Sequence, residues 1–320
     1  MARNPAFGLL LGVALAGWAV LARPEAPGAT TTAAAVLLAL VGYALGATAS
    51  RIHPALPGGA VAVAVAAAVA VTLPASLSGA ATAPPLGYGN ADAALFLAAT
   101  AGLLISAPHV DEPWRTGVVS AAVGTTVLCA LTASIAGTAS CVLLLAWSGV
   151  RRSGRAITWQ AVAAVLLVGS VGLTVLLGSG VIGPAPLLTA TLSQERVQLW
   201  SEAIALAEAN PVRGVGAGAF ALHSPTALTD PDLAWAHSTP LQVAAELGYV
   251  GFGLLTLVVA WMVLAVGRDA LLVAALFLPA TIDYVLHFGW VVLVFSVVLG
   301  GAWAADSAGS GKPWLTPPPP

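Results

Sequence analysis

The sequence is poor in charge. Only 8% of its 320 residues are Asp, Glu, Lys or Arg, whereas 59% are apolar. Soluble domains carry roughly a quarter charged residues, so this composition excludes an ordinary soluble protein. The formal net charge is -2, and lysine occurs once, at Lys312. A chain with so few cations offers no basic surface to a nucleic acid, and we expect no nucleic-acid partner.

Cysteine is also scarce. Cys129 and Cys141 both fall inside apolar runs, so they cannot form a disulfide framework or a cysteine-rich metal site. No His, Cys or Asp residues are spaced as metal ligands usually are. We therefore expect neither a metal nor another cofactor.

Long apolar runs are abundant. A bilayer core about 30 Å thick needs roughly 20 apolar residues per helix, because backbone groups inside lipid must be hydrogen-bonded within the protein. The sequence predicts an all-α, polytopic transmembrane bundle of about ten spans, with one large extracytoplasmic loop that contains short helices. Two of the predicted spans, 138–150 and 270–283, are short for a full crossing. The predicted spans are 6–22, 31–48, 59–73, 91–106, 117–135, 138–150, 157–177, 249–266, 270–283 and 288–304.

The basic residues predict the orientation, because they accumulate in short cytoplasmic loops of bacterial membrane proteins. The excess of arginine over lysine, together with much alanine, glycine and valine, suggests a high-GC bacterial gene. We predict a multi-pass protein of the bacterial cytoplasmic membrane with both termini in the cytoplasm. Eight basic residues then lie inside: Arg3, Arg51, Arg115, Arg151, Arg152, Arg155, Arg268 and Lys312. Three lie outside: Arg23, Arg196 and Arg213.

This orientation divides the chain into four parts. An N-terminal transmembrane region of about seven spans covers 1–177, and an extracytoplasmic loop covers 178–248. A C-terminal region of about three spans covers 249–304, and a disordered cytoplasmic tail covers 305–320. The composition changes in the loop, where polar and charged residues appear. A loop this long is seldom only a connection, so we expect the chemistry there.

The loop begins with a predicted amphipathic helix over about 192–209, which we expect on the membrane surface or on the bundle. Arg196 lies one turn before Trp200 in it. The run Gly214-Val215-Gly216-Ala217-Gly218 follows. This run lacks the Lys-Ser/Thr and the preceding strand of a phosphate-binding loop, so a tight turn leading to Phe220 is the favoured interpretation.

Three polar residues admit both structural and functional roles. His237, at the start of a membrane helix, could be an interfacial hydrogen-bonding histidine or a catalytic base. Arg196 could contact lipid headgroups or an acidic partner, or it could bind substrate. Asp283, at the outer end of a span, could cap the span or pair with His287, or it could orient His237 or pair with an arginine.

As a set, the motifs of 178–304 resemble those of the O-antigen ligase family, which includes polysaccharide polymerases. The order and spacing agree, including a histidine and a glycine, His237 and Gly248, with ten residues between them. An Asp283-Tyr284 to His287-Phe288 segment between the last spans also fits. The matching residues are Arg196, Trp200, Asn210-Pro211, Gly214, Gly216, Gly218, Phe220, His237-Ser238, Leu241, Glu246, Gly248 and Gly251.

The resemblance implies a metal-independent glycosyltransferase at the extracytoplasmic face. The donor would be a polyprenyl-diphosphate-linked glycan, and the acceptor hydroxyl would belong to a lipid, a glycan or a protein. Arg196 would bind the diphosphate and His237 would take the acceptor proton. Substrate contacts are expected from Arg213, Asp283 and Trp200, and membrane lipids are expected partners.

One departure from the family pattern stands out. Family members commonly carry a Ser-Arg pair in the span before the basic cytoplasmic loop, whereas this chain reads Ala133-Ser134-Ile135-Ala136. Two other functions therefore stay open. A transporter or flippase would need ionisable groups near the bilayer midplane, and a non-catalytic scaffold would tolerate the missing arginine.

Overall fold

The computed structural model describes residues 4–77, 85–152, 158–183 and 193–309. These ranges fold into helices, with no strand among them, which confirms the predicted all-α class. Arg3, Arg155, Lys312 and residues 310–320 of the predicted tail lie outside the described residues. The part of the predicted tail that is described, 305–309, continues the last helix.

Ten of the helices coincide with the ten predicted apolar segments to within a few residues, except that one begins at Thr239 rather than near Tyr249. Three shorter helices lie in the predicted loop. In chain order, the helices of the described residues are α1 (Pro5–Leu21), α2 (Ala29–Ile52), α3 (Leu56–Leu77), α4 (Gly89–Ser106), α5 (Trp114–Leu131), α6 (Ile135–Arg152), α7 (Trp159–Gly178), α8 (Gln194–Ala209), α9 (Phe220–His223), α10 (Pro225–Thr229), α11 (Thr239–Ala265), α12 (Ala270–Ile282) and α13 (Gly289–Gly309).

Seven of these helices are long and apolar enough to cross a membrane, which makes the chain a membrane protein by length and composition. They are α2, α3, α4, α5, α7, α11 and α13. The other three apolar helices are shorter over their apolar part: α1, the Ile135–Val150 part of α6, and α12. At a rise of about 1.5 Å per residue, α12 spans only about 20 Å, less than the hydrocarbon core. The prediction of ten crossings stays a prediction.

Small residues let the central helices approach closely. Gly42 and Gly46 of α2 face α13, and a Cβ added at Gly46 would lie 2.0 Å from the Val297 carbonyl oxygen. A Cβ at Gly300 of α13 would meet the Tyr43 carbonyl at the same distance. Small residues at these positions therefore allow the backbones of α2 and α13 to pack closely. At the centre of the bundle, α4 is almost wholly buried.

The helices bring distant loops together at each end of the bundle. At one end, the Ser106 hydroxyl donates a hydrogen bond to the Ala55 carbonyl, and Arg115 donates to the Ala107 carbonyl. At the opposite end, the Arg23 Nε donates to the Gly214 carbonyl over 2.9 Å. This second end, which also holds Arg196, contains the candidate site.

Helix α11 is broken at Gly248, whose φ of 68° lies in the left-handed region. The break frees backbone carbonyls, and the preceding loop binds them. The Val215 and Gly216 N–H groups donate to the Ala245 and Glu246 carbonyls, each over 2.9 Å. The Trp18 indole of α1 donates to the Leu247 carbonyl, also over 2.9 Å. Loop, α1 and α11 therefore complete one another's backbone hydrogen bonding.

The Glu246 carboxylate fastens the rest of the glycine run. It accepts hydrogen bonds from the Gly218 N–H, the Phe220 N–H and the Gln242 side chain. Because these N–H groups are already bound to protein acceptors, they cannot cradle a phosphate. The structure supports the predicted tight turn.

The loop helices pack on the bundle. Helix α8 buries Leu199, Trp200, Ala203 and Ala207 against α7 and the start of α11. On its other face, Glu202 accepts hydrogen bonds from the Ser224 hydroxyl and from the Thr226 hydroxyl. These bonds tie α10 to α8, so the described part of the loop has a fixed framework.

Candidate functional site

Asp283 is the centre of the candidate site. It follows α12 in an extended conformation, and it is 3% exposed. Its Oδ2 accepts hydrogen bonds from the Arg196 guanidinium over 3.0 Å and from the Asn90 amide over 2.6 Å. Its Oδ1 accepts the Tyr284 backbone N–H over 2.7 Å. The Tyr88 hydroxyl, which has one proton to share, lies 2.9 and 3.0 Å from the two oxygens.

Arg196 lies in the first turn of α8, after the Ser193 N-cap. Its guanidinium forms an ion pair with Asp283, which follows α12, and so connects the loop to the C-terminal helices. The Arg196 side chain is 23% exposed. The predicted pairing of Asp283 with an arginine is therefore what the structure contains. Unlike Asp283, Arg196 keeps a face open to the solvent-accessible space beside it.

His237 reaches the same carboxylate from the segment before α11. Its Nδ1 lies 3.7 Å from Asp283 Oδ1, longer than a hydrogen bond. The side chain is buried, and neither ring nitrogen has a hydrogen-bond partner among the described residues. The structure thus brings together Arg196 and His237, 41 positions apart by numbering, on one carboxylate. His287 is held differently, with its Nδ1 3.2 Å from the Tyr284 carbonyl.

The backbone at His237 is strained. Its backbone φ is 48°, a value that residues other than glycine seldom adopt. The other non-glycine residue with positive φ in the described ranges is Ala133, at 59°, and it also borders the site. Strain of this kind is maintained only where surrounding contacts enforce it, and it is concentrated at functional sites.

Trp200 and Arg213, the other two predicted site residues, have different positions. Trp200 is fully buried, and its indole N–H donates to the His237 carbonyl over 3.1 Å. It therefore holds the strained His237 backbone in place and borders the adjacent cavity. Arg213 lies exposed in the turn after α8, and it is not among the residues that line the cavity.

Tyr88 and Asn90, at the start of α4, were not predicted as site residues. Their contacts with Asp283 join positions that are 195 and 193 residues apart. One signal was available in the sequence: both are polar residues immediately before a predicted span, on the same side as Asp283. That signal gives the membrane side but not the partner.

The electrostatics of the cluster favour a charged Asp283. Burial alone would raise the pKa of its carboxyl, but His237, the Arg196 guanidinium and the Tyr284 N–H together hold that pKa below its usual range. For the Tyr88 phenol, burial and then the Asp283 charge raise the pKa. Asp283 is therefore an ionised acceptor, and Tyr88 is a protonated donor.

A cavity of about 430 Å³ opens beside the ion pair. Arg196 and Asp283 form its polar wall, and the Ala133 to Ala136 segment lies among its lining residues. One of these lining residues is Ile135, the position at which the sequence departs from the Ser-Arg pair described above. Arg196 is consequently the one cation among the described residues that line this cavity.

The arrangement is suited to acid-base and anion-binding chemistry. It provides a buried imidazole with unbonded nitrogens, a guanidinium at a cavity wall, and a carboxylate that contacts both. The described residues contain no group of three or more His, Cys, Asp or Glu side chains placed to hold a metal ion. The residues present can bind an anion and move a proton.

Comparison with known proteins identifies a family that part of the chain resembles. No curated protein and no solved structure matches the chain. Residues 120–256 match a family model whose description is O-antigen ligase. The matched range includes Ile135, Arg196 and His237, and it ends before Asp283. The resemblance to the O-antigen ligase family is thereby confirmed for this segment of an all-helical membrane protein.

Proposed function

We propose that this chain transfers a glycan from a polyprenyl diphosphate to a hydroxyl acceptor at the extracytoplasmic face of the bacterial cytoplasmic membrane. The observation that carries the proposal is the convergence of Arg196 and His237 on Asp283 beside a cavity. The family match supports a membrane glycan enzyme of the ligase kind. The structural features below support the more specific donor and acceptor roles.

Arg196 binds the donor phosphate. A guanidinium offers two parallel N–H bonds to phosphate oxygens, and in a partly buried site such bonds are stronger than in water. The Asp283 pairing fixes one edge of the guanidinium. The partly exposed side chain, at the cavity wall, leaves donors for the phosphate.

An apolar groove offers room for the polyprenyl chain. A second cavity of about 670 Å³ runs along α7, α11 and α12, from Gln160 and Leu264 toward Thr239 and Pro240. Its lining is almost entirely apolar, and Thr239 is two positions from His237. A hydrocarbon chain that lies in this groove has its head group near the candidate site.

His237 is the general base. Its imidazole takes the proton of the acceptor hydroxyl while the acceptor oxygen bonds to the anomeric carbon of the donor sugar. The bond between that carbon and the phosphate oxygen breaks, and the leaving diphosphate keeps the electron pair and the Arg196 hydrogen bonds. Asp283 stabilises the imidazolium that forms. No step in this sequence needs a metal.

The orientation is part of the proposal. We place residues 178–248 and the candidate site outside, both termini inside, and ten crossings between them. The distribution of arginines supports this, because Arg51 lies in the last turn of α2, Arg115 lies in the first turn of α5, and Arg268 follows α11, all at the end opposite to the site. Among the arginines of the described residues, Arg23, Arg196 and Arg213 lie at the site end.

Two substitutions test the mechanism in membranes that contain a radiolabelled polyprenyl-diphosphate-linked oligosaccharide. We expect His237→Ala to lower the transfer rate on the order of a hundredfold to ten-thousandfold, with donor binding retained. We expect Arg196→Lys to raise the donor KM about tenfold or more, because lysine lacks the planar fork.

Matched controls lie elsewhere in the chain. His223→Ala changes an exposed histidine of the same loop, and Arg268→Lys changes an arginine at the opposite end, so both should transfer at the normal rate. If the His237→Ala protein transferred glycan at the wild-type rate, the general-base role would be wrong. A scaffold or transport role would then be favoured.

A further inference from the structure

Aromatic rings form a continuous surface beside His237. We call this set of five residues the aromatic ledge: Trp235, Tyr284, His287, Tyr88 and Phe288. Ring centroids are 4.0 Å apart for Trp235 and His287, 6.2 Å for Trp235 and Tyr284, and 4.8 Å for Tyr284 and Tyr88. Tyr88 also stacks on Phe288 at 5.8 Å, with the ring planes 6° apart.

The ledge is in direct contact with the proposed base. The edge of one ring meets the face of the other between His237 and Tyr284, with the centroids 4.7 Å apart and the planes at 88°. None of the rings of Trp235, Tyr284 and His287 lines the cavity beside Arg196. Asp283 separates the two regions, because its Oδ2 binds Arg196 and its Oδ1 is the oxygen nearest His237.

The ledge is accessible. His287 is exposed, and Trp235 and Tyr284 are half-buried, so part of this aromatic surface is accessible next to a catalytic candidate. An aromatic residue that only anchors a protein at the lipid interface is expected to be largely exposed. Trp290, which is 64% exposed, has this character. The ledge rings differ from Trp290 because they stack on one another and end at a buried histidine.

Sugar rings fit this chemistry. A pyranose presents a face of C–H bonds that packs on the electron-rich face of an aromatic ring, and its hydroxyls need polar neighbours at the ring edge. Asp232, an exposed carboxylate three positions before Trp235 in the sequence, is a candidate acceptor for these hydroxyls. The ledge contains no arginine or lysine that could bind a phosphate, so it suits a neutral glycan better than the donor diphosphate.

We propose that Trp235, Tyr284 and His287 form the binding site for a sugar ring of the acceptor, which makes the acceptor a carbohydrate hydroxyl. The assignment of this sugar to the acceptor rests on the proposed function, whereas the binding of a sugar to the aromatic ledge does not. A sugar that stacks on Trp235 lies one ring away from His237, on the side of Asp283 opposite the donor phosphate.

Saturation-transfer NMR tests sugar binding without any catalytic step. The full-length protein in nanodiscs is mixed with methyl β-glucoside, methyl β-galactoside or methyl α-mannoside, and protein aromatic protons are irradiated. We expect saturation of the C–H protons of at least one glycoside, and none for glycerol. The signal should persist in Trp290→Ala and in His237→Ala, and it should disappear in Trp235→Ala.

Trp235→Phe is the control that distinguishes loss of the sugar contact from loss of the local structure. It keeps an aromatic ring and should retain much of the saturation signal. In transfer assays with an oligosaccharide acceptor, Trp235→Ala should raise the acceptor KM by about tenfold, leaving the donor KM unchanged. Absence of saturation with all three glycosides, or an equal signal in Trp235→Ala, would overturn the sugar site. A rise in the donor KM instead would overturn its assignment to the acceptor.

These outcomes are separable from failure of the proposed function. If His237→Ala transferred glycan normally while the saturation signal still depended on Trp235, the mechanism would be wrong and the sugar site would stand. If transfer depended on His237 but no variant changed sugar binding or the acceptor KM, the ledge alone would be wrong.

Discussion

At the scale of single residues, Asp283 determines how the site works. It contacts the proposed phosphate-binding residue, Arg196, and the proposed base, His237, so its two oxygens connect the two halves of the proposed reaction. A carboxylate that orients a histidine and stabilises its charged form contributes strongly to catalysis without touching the substrate. We regard Asp283 as a positioning residue.

Replacement of Asp283 by Asn should lower transfer by about a hundredfold and decrease the thermal stability. The stability effect has a predictable pH dependence. Because the pKa of the carboxyl is lowered in the folded protein, its contribution is complete above the ordinary Asp pKa of about 3.9 and is lost as the pH falls further. Thermal unfolding should therefore show a constant difference between wild type and Asp283→Asn from pH 5 to pH 8, and a smaller one below pH 4. A difference that grows on acidification would contradict this assignment.

Ile135 is an uncharged residue that lines the cavity, at a position where a cation would change the cavity's charge. Arg196 is compensated by Asp283, so the cavity wall offers little net positive charge to a diphosphate. Ile135 is 64% exposed at the start of α6, which leaves room for a longer side chain.

We therefore expect Ile135→Arg to lower the donor KM by about tenfold, in a transfer assay with the lipid-linked donor at low salt. Ile135→Gln is the control for size and polarity, and its donor KM should stay near that of the wild type. An unchanged or higher donor KM in Ile135→Arg would show that the phosphate does not bind at this wall.

The sequence could indicate candidate residues but not their contacts. Arg196, His237 and Asp283 were candidates because ionisable groups are rare in this chain and because these three lie near the ends of predicted spans. Their convergence, and the participation of Tyr88 and Asn90, depend on how helices far apart in the sequence pack. No local pattern contains that information.

At the scale of elements, the helices were predictable because length and apolar character are local properties of the chain. The start of α11 was not. Gly248 suggested a span that begins just after it, whereas the helix extends back to Thr239 through a break. The left-handed glycine interrupts the helix without ending it, since the loop supplies the missing hydrogen bonds.

Gly248→Ala should destabilise the protein. Its φ of 68° disfavours any side chain, and a Cβ would lie 2.4 Å from the Val212 carbonyl oxygen. We expect a loss of about 2 kcal/mol or more in the free energy of unfolding. Transfer should fall as well, because the loop that packs against Gly248 leads along the chain to His237. Thermal and denaturant unfolding in detergent measure the effect.

Gly253→Ala is the matched control in the same helix. A Cβ there meets nothing within 4 Å, so the change should stabilise α11 by roughly 0.5 to 1 kcal/mol. Equal effects of the two substitutions would show that the break has no structural importance.

At the scale of the whole molecule, the orientation decides which substrates the site can meet. The positive-inside pattern predicts that the candidate site lies outside, and cysteine labelling can test this directly. Leu228 of α10 is 65% exposed at the site end, and Asp111 is exposed at the opposite end.

With Cys129 and Cys141 replaced by serine, Leu228→Cys should react with a membrane-impermeant maleimide in intact cells. Asp111→Cys should react only after the cells are permeabilised. Both positions are exposed, so accessibility to solvent does not separate them, and only the side of the membrane does. The reverse pattern would place the site in the cytoplasm and end the proposal of an extracytoplasmic transferase.

The hydrogen bond from Trp18 to the Leu247 carbonyl has a consequence for biogenesis. Synthesis delivers α1 first and α11 more than two hundred residues later, about ten seconds to a minute at ordinary elongation rates. Until then, the Trp18 indole N–H waits in the membrane without this acceptor. The His237 backbone, eleven positions before Gly248, can take its strained conformation only after α11 meets α1 and the loop. The candidate site is therefore assembled late in synthesis, after the ribosome has produced all three of these segments.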